Sequence, residues 1–193
     1  MFMVKIFIFL LFFIISFKLY AIDTKAEQAV VIDFDTKEVL FEVNANTKNY
    51  PASLTKIMTL YILFDQIEKG VLTYDTKLKV SKIASSRSPS KLYLEAGSYI
   101  KVEDAIMALI IKSANDVATV VAENISGTEK DFAKLMTRYA RNLGMANTTF
   151  KNASGLPRFH GEFKRVHVHS NGIFYNWNTC VIINVRIYII VKC

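Results

Sequence analysis

The sequence has few residues that cross-link or interrupt a chain. It contains only two cysteines, three prolines and seven glycines among 193 residues, and no cysteine lies in residues 22–157. A disulfide framework therefore does not hold that region together. Apolar residues make up 52% of the sequence, so the chain can instead bury a core of ordinary domain size.

Acidic residues are the scarcer charged class, since 17 Asp or Glu stand against 24 Lys or Arg. The basic excess lies at the two ends of the chain. Residues 22–157 hold 17 basic and 16 acidic residues and are nearly neutral. A nucleic-acid-binding protein would carry its basic excess as a patch on its folded body. We therefore expect no nucleic-acid partner.

Long hydrophobic runs are also lacking, because the longest, residues 6–17, has twelve residues and is flanked by lysines. As a helix it would span about 18 Å, whereas the hydrocarbon core of a bilayer is roughly 30 Å thick. We interpret residues 1–21 as a signal peptide that ends at Ala21 and expect export to the periplasm or the outer face of the cytoplasmic membrane. An uncleaved anchor is the alternative, because Lys18 and Leu19 make an imperfect cleavage site.

Hydrophobic periodicity predicts short strands and helices between the two ends. Two β-branched runs at residues 27–34 and 39–45 predict a β-hairpin. Residues 54–69 are apolar around much of a helical circumference, which predicts a buried helix that Gly70 ends. The other predicted elements are two short strands, 77–80 and 92–94, and three helices, 102–111, 116–125 and 128–143.

Serine is followed by lysine three residues later in the pairs Ser53/Lys56, Ser88/Lys91 and Ser98/Lys101. On a helix such a pair shares one face and can act as nucleophile and base. Ser53 begins the buried helix, whereas Ser88 lies in a polar loop and Ser98 enters a strand-like stretch, where residues three apart point to opposite faces. Ser53 and Lys56 are therefore the candidate catalytic pair. The alternative role for Ser53 is that of a helix N-cap.

The only Ser-x-Asn sequence, Ser113-Ala114-Asn115, lies in a break between two apolar helices. A hydroxyl there could relay a proton, and an amide could hold the backbone of a substrate. The alternative is a capping segment in which Asn115 is the N-cap of the following helix.

Together these motifs resemble the D-alanyl-D-alanine carboxypeptidases among the low-molecular-mass penicillin-binding proteins. The resemblance covers roughly residues 25–157 and includes the hairpin and the segments 51–59, 111–116 and 152–156 in the expected order. It implies an α/β (α+β) fold of the β-lactamase/DD-peptidase type, in which helices flank an antiparallel sheet.

The resemblance also implies a role for each candidate residue. Ser53 would attack the carbonyl carbon between two terminal D-alanines of a peptidoglycan stem peptide, and Lys56 would accept its proton. Ser113 would pass the proton to the leaving amine, while Asn115 would hold the substrate backbone and help to position Lys56. β-Lactams would trap the same serine as inhibitors. No metal and no organic cofactor is implied.

The third motif of the family, Lys-Thr-Gly or its variants Lys-Ser-Gly and His-Thr-Gly, does not occur in this sequence. In the family this motif binds the terminal carboxylate of the substrate, and its strand contributes to the oxyanion hole. The resemblance ends near Pro157. We therefore interpret residues 22–157 as a partial domain with a sheet incomplete at its C-terminal end, and residues 158–193 as a divergent tail that is off-frame or otherwise degraded. The family further implies peripheral association with a membrane.

These observations leave three functions open. An exported carboxypeptidase is the main interpretation. A catalytically silent remnant or peptidoglycan-binding fragment is the second, and it would release little D-alanine. A β-lactamase is less favoured, because Ala114 stands where such enzymes usually carry Asp and because no Glu-x-x-Leu-Asn sequence occurs.

We predict that the exported protein starts at Ile22, because the apolar run is short and a small residue follows it. Mass spectrometry of the N-terminal peptide of the exported protein measures this directly. Recovery of a chain that still carries Met1 from the membrane fraction would favour the uncleaved anchor.

Overall fold

The computed structural model describes residues 24–156, except positions 34–35, 37 and 48–49. The predicted signal peptide and the predicted divergent tail lie outside the described residues, so both stay predictions. Within the described part, four strands, five α-helices, one 3₁₀ turn and one π-helical segment follow one another.

The first two strands form the predicted hairpin. Strand β1 (Ala29–Ile32) pairs antiparallel with β2 (Val39–Val43), and Ala29 lies opposite Val43. Ala29 and Val31 are both buried, because alternate side chains of a strand point to the same face. The hairpin therefore has one covered face, and its prediction is confirmed.

A 3₁₀ turn at Ala52–Leu54 leads directly into helix α1, which spans Thr55–Glu68. No side chain in residues 55–67 is exposed, because later helices pack against α1. Gly70, with φ of +70°, follows the end of the helix, where the left-handed backbone favours glycine. The predicted buried helix and its end at Gly70 are confirmed.

The second pair of strands differs in part from the sequence prediction. Strand β3 (Lys77–Lys79) pairs antiparallel with β4 (Tyr99–Lys101), so the strand predicted at Leu92 to Leu94 is wrong. The backbone N–H groups of Leu92 and Leu94 donate to the carboxylate of Asp116, at 3.0 and 3.3 Å. Because this buried carboxylate takes the donors that a neighbouring strand would need, the segment is a loop.

The remaining helices follow the predicted order with one addition. Helix α2 spans Lys82–Ser85, α3 spans Val102–Met107, α4 spans Asn115–Ser126 and α5 spans Glu129–Asn142. The addition is α2, and the predicted helix 102–111 is α-helical only to Met107 and continues as a π-helical segment, Ala108–Lys112. Thr128 caps α5 by accepting a hydrogen bond from the backbone N–H of Asp131, at 3.0 Å.

The core is centred on α4, whose residues 115–122 are all buried. Helices α1, α2 and α5 and strand β3 contact it. This combination of helices with small antiparallel sheets confirms the α/β (α+β) class, although the described strands pair as two separate sheets where the resemblance implied one. None of the helices in the described ranges has the length and apolar composition needed to cross a bilayer.

We predict that Met136→Ala lowers the free energy of unfolding by about 2–5 kcal/mol, because Met136 is fully buried in α5 and its truncation leaves a cavity. Met107→Ala is the matched control, since that side chain is 51% exposed in α3, and it should change stability by less than about 0.5 kcal/mol. Urea unfolding of the purified protein measures both values. Equal losses for the two variants would contradict the core described above.

Candidate active site

Ser53 and Lys56 lie together at the start of the central helix. Ser53 is in the 3₁₀ turn and Lys56 is in the first turn of α1, so the two side chains share one face. The Lys56 amine donates a hydrogen bond to the Ser53 hydroxyl oxygen, with 3.4 Å between Nζ and Oγ. Ser53 is exposed while Lys56 is only 3% exposed. A substrate can therefore reach the serine, and the lysine stands behind it.

Burial lowers the pKa of the Lys56 amine from 10.5 to about 8, because a desolvated amine favours its neutral form. A neutral amine has a lone pair that can accept the proton of a serine hydroxyl. Lys56 also donates a hydrogen bond to the backbone carbonyl of Ser154, with 2.9 Å between Nζ and O. This second hydrogen bond points one N–H of the Lys56 amine away from Ser53 and so orients the amine.

The other two Ser/Lys pairs do not form such a unit. Lys91 donates to the carbonyl oxygen of Ser85 at 3.1 Å, and Lys101 forms an ion pair with Asp75 at 2.8 Å. The hydrogen bond from Lys101 to Asp75 raises the pKa of this exposed lysine, which is opposite to the direction at Lys56. Among the three pairs, only Lys56 is hydrogen-bonded to its serine.

The interpretation of Ser53 as an N-cap is wrong. The residue before α1 is Leu54, and neither this helix nor the 3₁₀ turn has a side-chain cap hydrogen bond. The hydroxyl of Ser53 is instead the acceptor for Lys56. The hydroxyl of Ser53 therefore serves as a partner of Lys56 and does not cap the helix.

The second motif forms a tight turn between the π-helical segment and α4. Ser113 is half-buried and has a left-handed backbone with φ of +54°. Asn115 is buried, and its amide Nδ2 donates to the carbonyl oxygen of Ser88 at 2.9 Å. Ala114 precedes α4 without a side-chain cap, so the interpretation of Asn115 as an N-cap is also wrong.

The loop at residues 88–90 holds this turn in place on both sides. The carbonyl oxygen of Ser90 accepts from the backbone N–H of Asn115 at 2.7 Å, and the hydroxyl of Ser90 donates to the carbonyl oxygen of Lys112 at 2.8 Å. The structure therefore joins Ser53 directly to Lys56. It fixes the turn that carries Ser113 through a different set of contacts, and Asn115 lies at the start of α4, which packs against α1.

Sequence reasoning gave no role to Asn152, Ser154 or Gly155, although these residues complete the surroundings of Lys56. The Asn152 side-chain oxygen accepts from the backbone N–H groups of Ser154 and Gly155, at 3.2 and 2.6 Å. The turn that results presents the Ser154 carbonyl to Lys56. A glycine directly after Ser154 and three residues after Asn152 was the signal available in the sequence, but a turn is all that it predicts.

Gly155 packs against the backbone just before the nucleophile. A Cβ at this position would lie 1.8 Å from the carbonyl oxygen of Ala52 and 2.8 Å from the Thr55 hydroxyl oxygen. The backbone of Gly155 is also left-handed, with φ of +79°. Only glycine allows this approach without displacing Ala52, so Gly155 helps to set the position of Ser53.

Comparison with known proteins identifies the family. The model of peptidase family S11, described as D-alanyl-D-alanine carboxypeptidase, matches residues 16–163. The chain belongs to this carboxypeptidase family. The resemblance drawn from the motifs is thereby confirmed.

A curated member of the carboxypeptidase family, DacF of Bacillus subtilis, is 39% identical over 132 residues, which are 68% of this chain and 34% of DacF. The chain thus spans about a third of the length of that relative. Among solved structures, the carboxypeptidase DacD of Francisella tularensis superposes with a TM-score of 0.74 at 35% identity, covering 80% of this chain and 37% of DacD. Penicillin-binding protein D2 of Listeria monocytogenes, in an ampicillin-bound form, gives a TM-score of 0.67 at 30% identity and covers 80% and 60%.

We predict that Lys56 titrates with a pKa near 8, because its burial favours the neutral amine. The NMR shift of its labelled ε-carbon, assigned with a Lys56→Arg variant, follows this titration. Lys101 is the internal control, since its pKa lies above 10.5. A Lys56 midpoint equal to that of Lys101 would contradict the proposed base.

Proposed function

We propose that the chain acts as a serine-type D-alanyl-D-alanine carboxypeptidase, which removes the terminal D-alanine from peptidoglycan stem peptides through an acyl-enzyme on Ser53. The observation that carries this proposal is the contact between the buried Lys56 amine and the exposed Ser53 hydroxyl. Membership of the carboxypeptidase family supports the substrate class.

In the first step the Ser53 hydroxyl oxygen attacks the carbonyl carbon of the penultimate D-alanine, and its proton passes to Lys56. With a pKa of about 8, roughly a tenth of the lysine is neutral at pH 7, which suits a general base. The tetrahedral intermediate then collapses and breaks the C–N bond. The terminal D-alanine leaves after its nitrogen receives the proton, and Ser53 keeps the acyl group as an ester.

Ser113 and Asn115 have separate roles in this step. Ser113 relays the proton from Lys56 to the departing nitrogen, and the adjacent Asn115 holds the backbone of the bound peptide. The hydrogen bond from Asn115 Nδ2 to Ser88 fixes the orientation of the amide. Its side-chain oxygen is then the group available to accept an N–H from the substrate. Water hydrolyses the ester in the second half of the reaction, which returns the proton to Ser53.

β-Lactams are the inhibitor class of this proposal, because they offer a strained amide to the same nucleophile. The Listeria protein with an ampicillin-bound structure supports this class. Stem peptides occur outside the cytoplasm, so the proposal also requires export to the periplasm or the outer face of the cytoplasmic membrane and is consistent with peripheral membrane association.

The second candidate is a catalytically silent remnant or peptidoglycan-binding fragment. Residues 1–193 contain no Lys-Thr-Gly sequence, whereas the family match favours the carboxypeptidase. A missing oxyanion donor can lower acyl-transfer rates by about 10²–10³. The two candidates differ in turnover, which makes them separable by experiment.

We predict that a fluorescent penicillin acylates Ser53 and that the purified protein releases D-alanine from a peptide ending in D-alanyl-D-alanine. Ser53→Ala should abolish both signals, because Ser53 is the serine whose hydroxyl is hydrogen-bonded to the Lys56 amine. Ser88→Ala and Ser98→Ala are matched controls and should keep both, since their lysines bind elsewhere. Peptide mapping locates the label.

The outcomes separate the candidates. Labelling of Ser53 without release of D-alanine would favour the silent fragment. Labelling that survives Ser53→Ala would overturn the assignment of the nucleophile. Rapid hydrolysis of the penicillin with no D-alanine release would favour a β-lactamase.

A further inference from the structure

An ion pair that the proposed mechanism does not use lies between the two motif-bearing regions. The guanidinium of Arg87 contacts the carboxylate of Glu129, and their side chains are 30% and 16% exposed. Arg87 stands directly before Ser88 in the loop that holds the second motif, and Glu129 is the first residue of α5. A carboxylate that is largely shielded from water is stabilised by hydrogen-bond partners for both of its oxygens.

The second carboxylate oxygen of Glu129 faces the segment that orients the base. It accepts a hydrogen bond from the backbone N–H of Ala153 at 3.3 Å. The carbonyl oxygen of Ala153 accepts from the Thr59 hydroxyl at 2.7 Å, and the next carbonyl, that of Ser154, accepts from Lys56. Glu129 therefore binds the backbone N–H of Ala153, while the carbonyl groups of Ala153 and Ser154 bind Thr59 and Lys56 of α1.

Arg87 connects the same carboxylate to the second motif. Its Nε donates to the hydroxyl of Thr119 at 2.9 Å, one helical turn after Asn115 in α4. The next residue, Ser88, accepts from the side chain of Asn115. The Thr119 hydroxyl lies 3.3 Å from the carbonyl oxygen of Asn115 and 3.4 Å from Glu129. Arg87, Thr119 and Glu129 thus form one cluster behind Asn115.

We propose that Glu129 is a positioning residue. Its carboxylate binds Arg87 with one oxygen and the backbone N–H of Ala153 with the other. These two contacts fix the turn at Asn115 relative to the Ser154 carbonyl that binds Lys56. A carboxylate suits this role because it is acceptor-only and has two oxygens. One oxygen faces the cation and the other faces the backbone donor. Glutamine would turn an N–H₂ group toward one of these two donors, so Glu129→Gln breaks one connection while keeping the shape of the side chain.

The test measures the rate at which fluorescent penicillin acylates Ser53, per folded molecule, and so rests on the proposed function. The variants are Glu129→Gln, Arg87→Met and the double variant. Asp131→Asn is the matched control, since it removes the same charge from the same first turn of α5 at an exposed position. Glu129→Gln and Asp131→Asn then change the interaction with the dipole of α5 in the same direction.

We expect Glu129→Gln and Arg87→Met each to slow acylation by about 10- to 100-fold, because small displacements of catalytic groups are costly. Asp131→Asn should stay within about twofold. The double variant should lose no more than the slower single variant, since the two residues act as a unit. Wild-type rates in Glu129→Gln, or additive losses in the double variant, would overturn the proposal.

A second measurement does not require acylation. The double variant removes one positive and one negative charge, so the direct electrostatic effect on Lys56 largely cancels. If the pair positions the segment over Lys56, the NMR midpoint of Lys56 should rise from about 8 as its burial weakens. An unchanged midpoint in a folded double variant would overturn the proposal. Failure of the wild type to acylate, together with a shifted midpoint, would instead reject the proposed function alone.

Discussion

The structure around the site depends on the burial of the Lys56 amine. A lysine pKa that falls from 10.5 to about 8 costs the folded state on the order of 3 kcal/mol at neutral pH. The unfolded chain binds more protons than the folded chain between these values, so the free energy of unfolding rises as pH increases from about 8 toward 10.5. The protein thus gives up stability to keep a lysine amine that can lose its proton near neutral pH.

Two parts of the fold maintain this burial. Helix α1 carries the lysine and is covered along its length by later helices. The segment at residues 152–155 closes over the amine and supplies a carbonyl acceptor. Gly155 then brings this segment into contact with Ala52, next to the nucleophile. A single short turn therefore sets both the orientation of the base and the position of the serine.

Ser53 and the second motif meet the opposite requirement, because in the proposed function a substrate must reach them. Ser53 is exposed and Ser113 is half-buried, and both lie in turns at helix ends. Such turns have few regular hydrogen bonds of their own, so side chains and loops must hold them. The loop at residues 88–90 does so for Asn115. Rigid support beneath accessible groups is the general arrangement of a preorganised site.

The sequence by itself determined the hairpin, the long helices, the Ser53/Lys56 pair and the family, because these depend on local periodicity and on motifs of fixed spacing. It could not place a loop at Leu92 to Leu94, since the deciding acceptor is Asp116, more than twenty residues away. It also could not assign Ser154 or Gly155, whose partners Lys56 and Ala52 lie about a hundred residues earlier. Tertiary structure alone decided these contacts, because a carbonyl that orients a base carries no side-chain signature in a sequence.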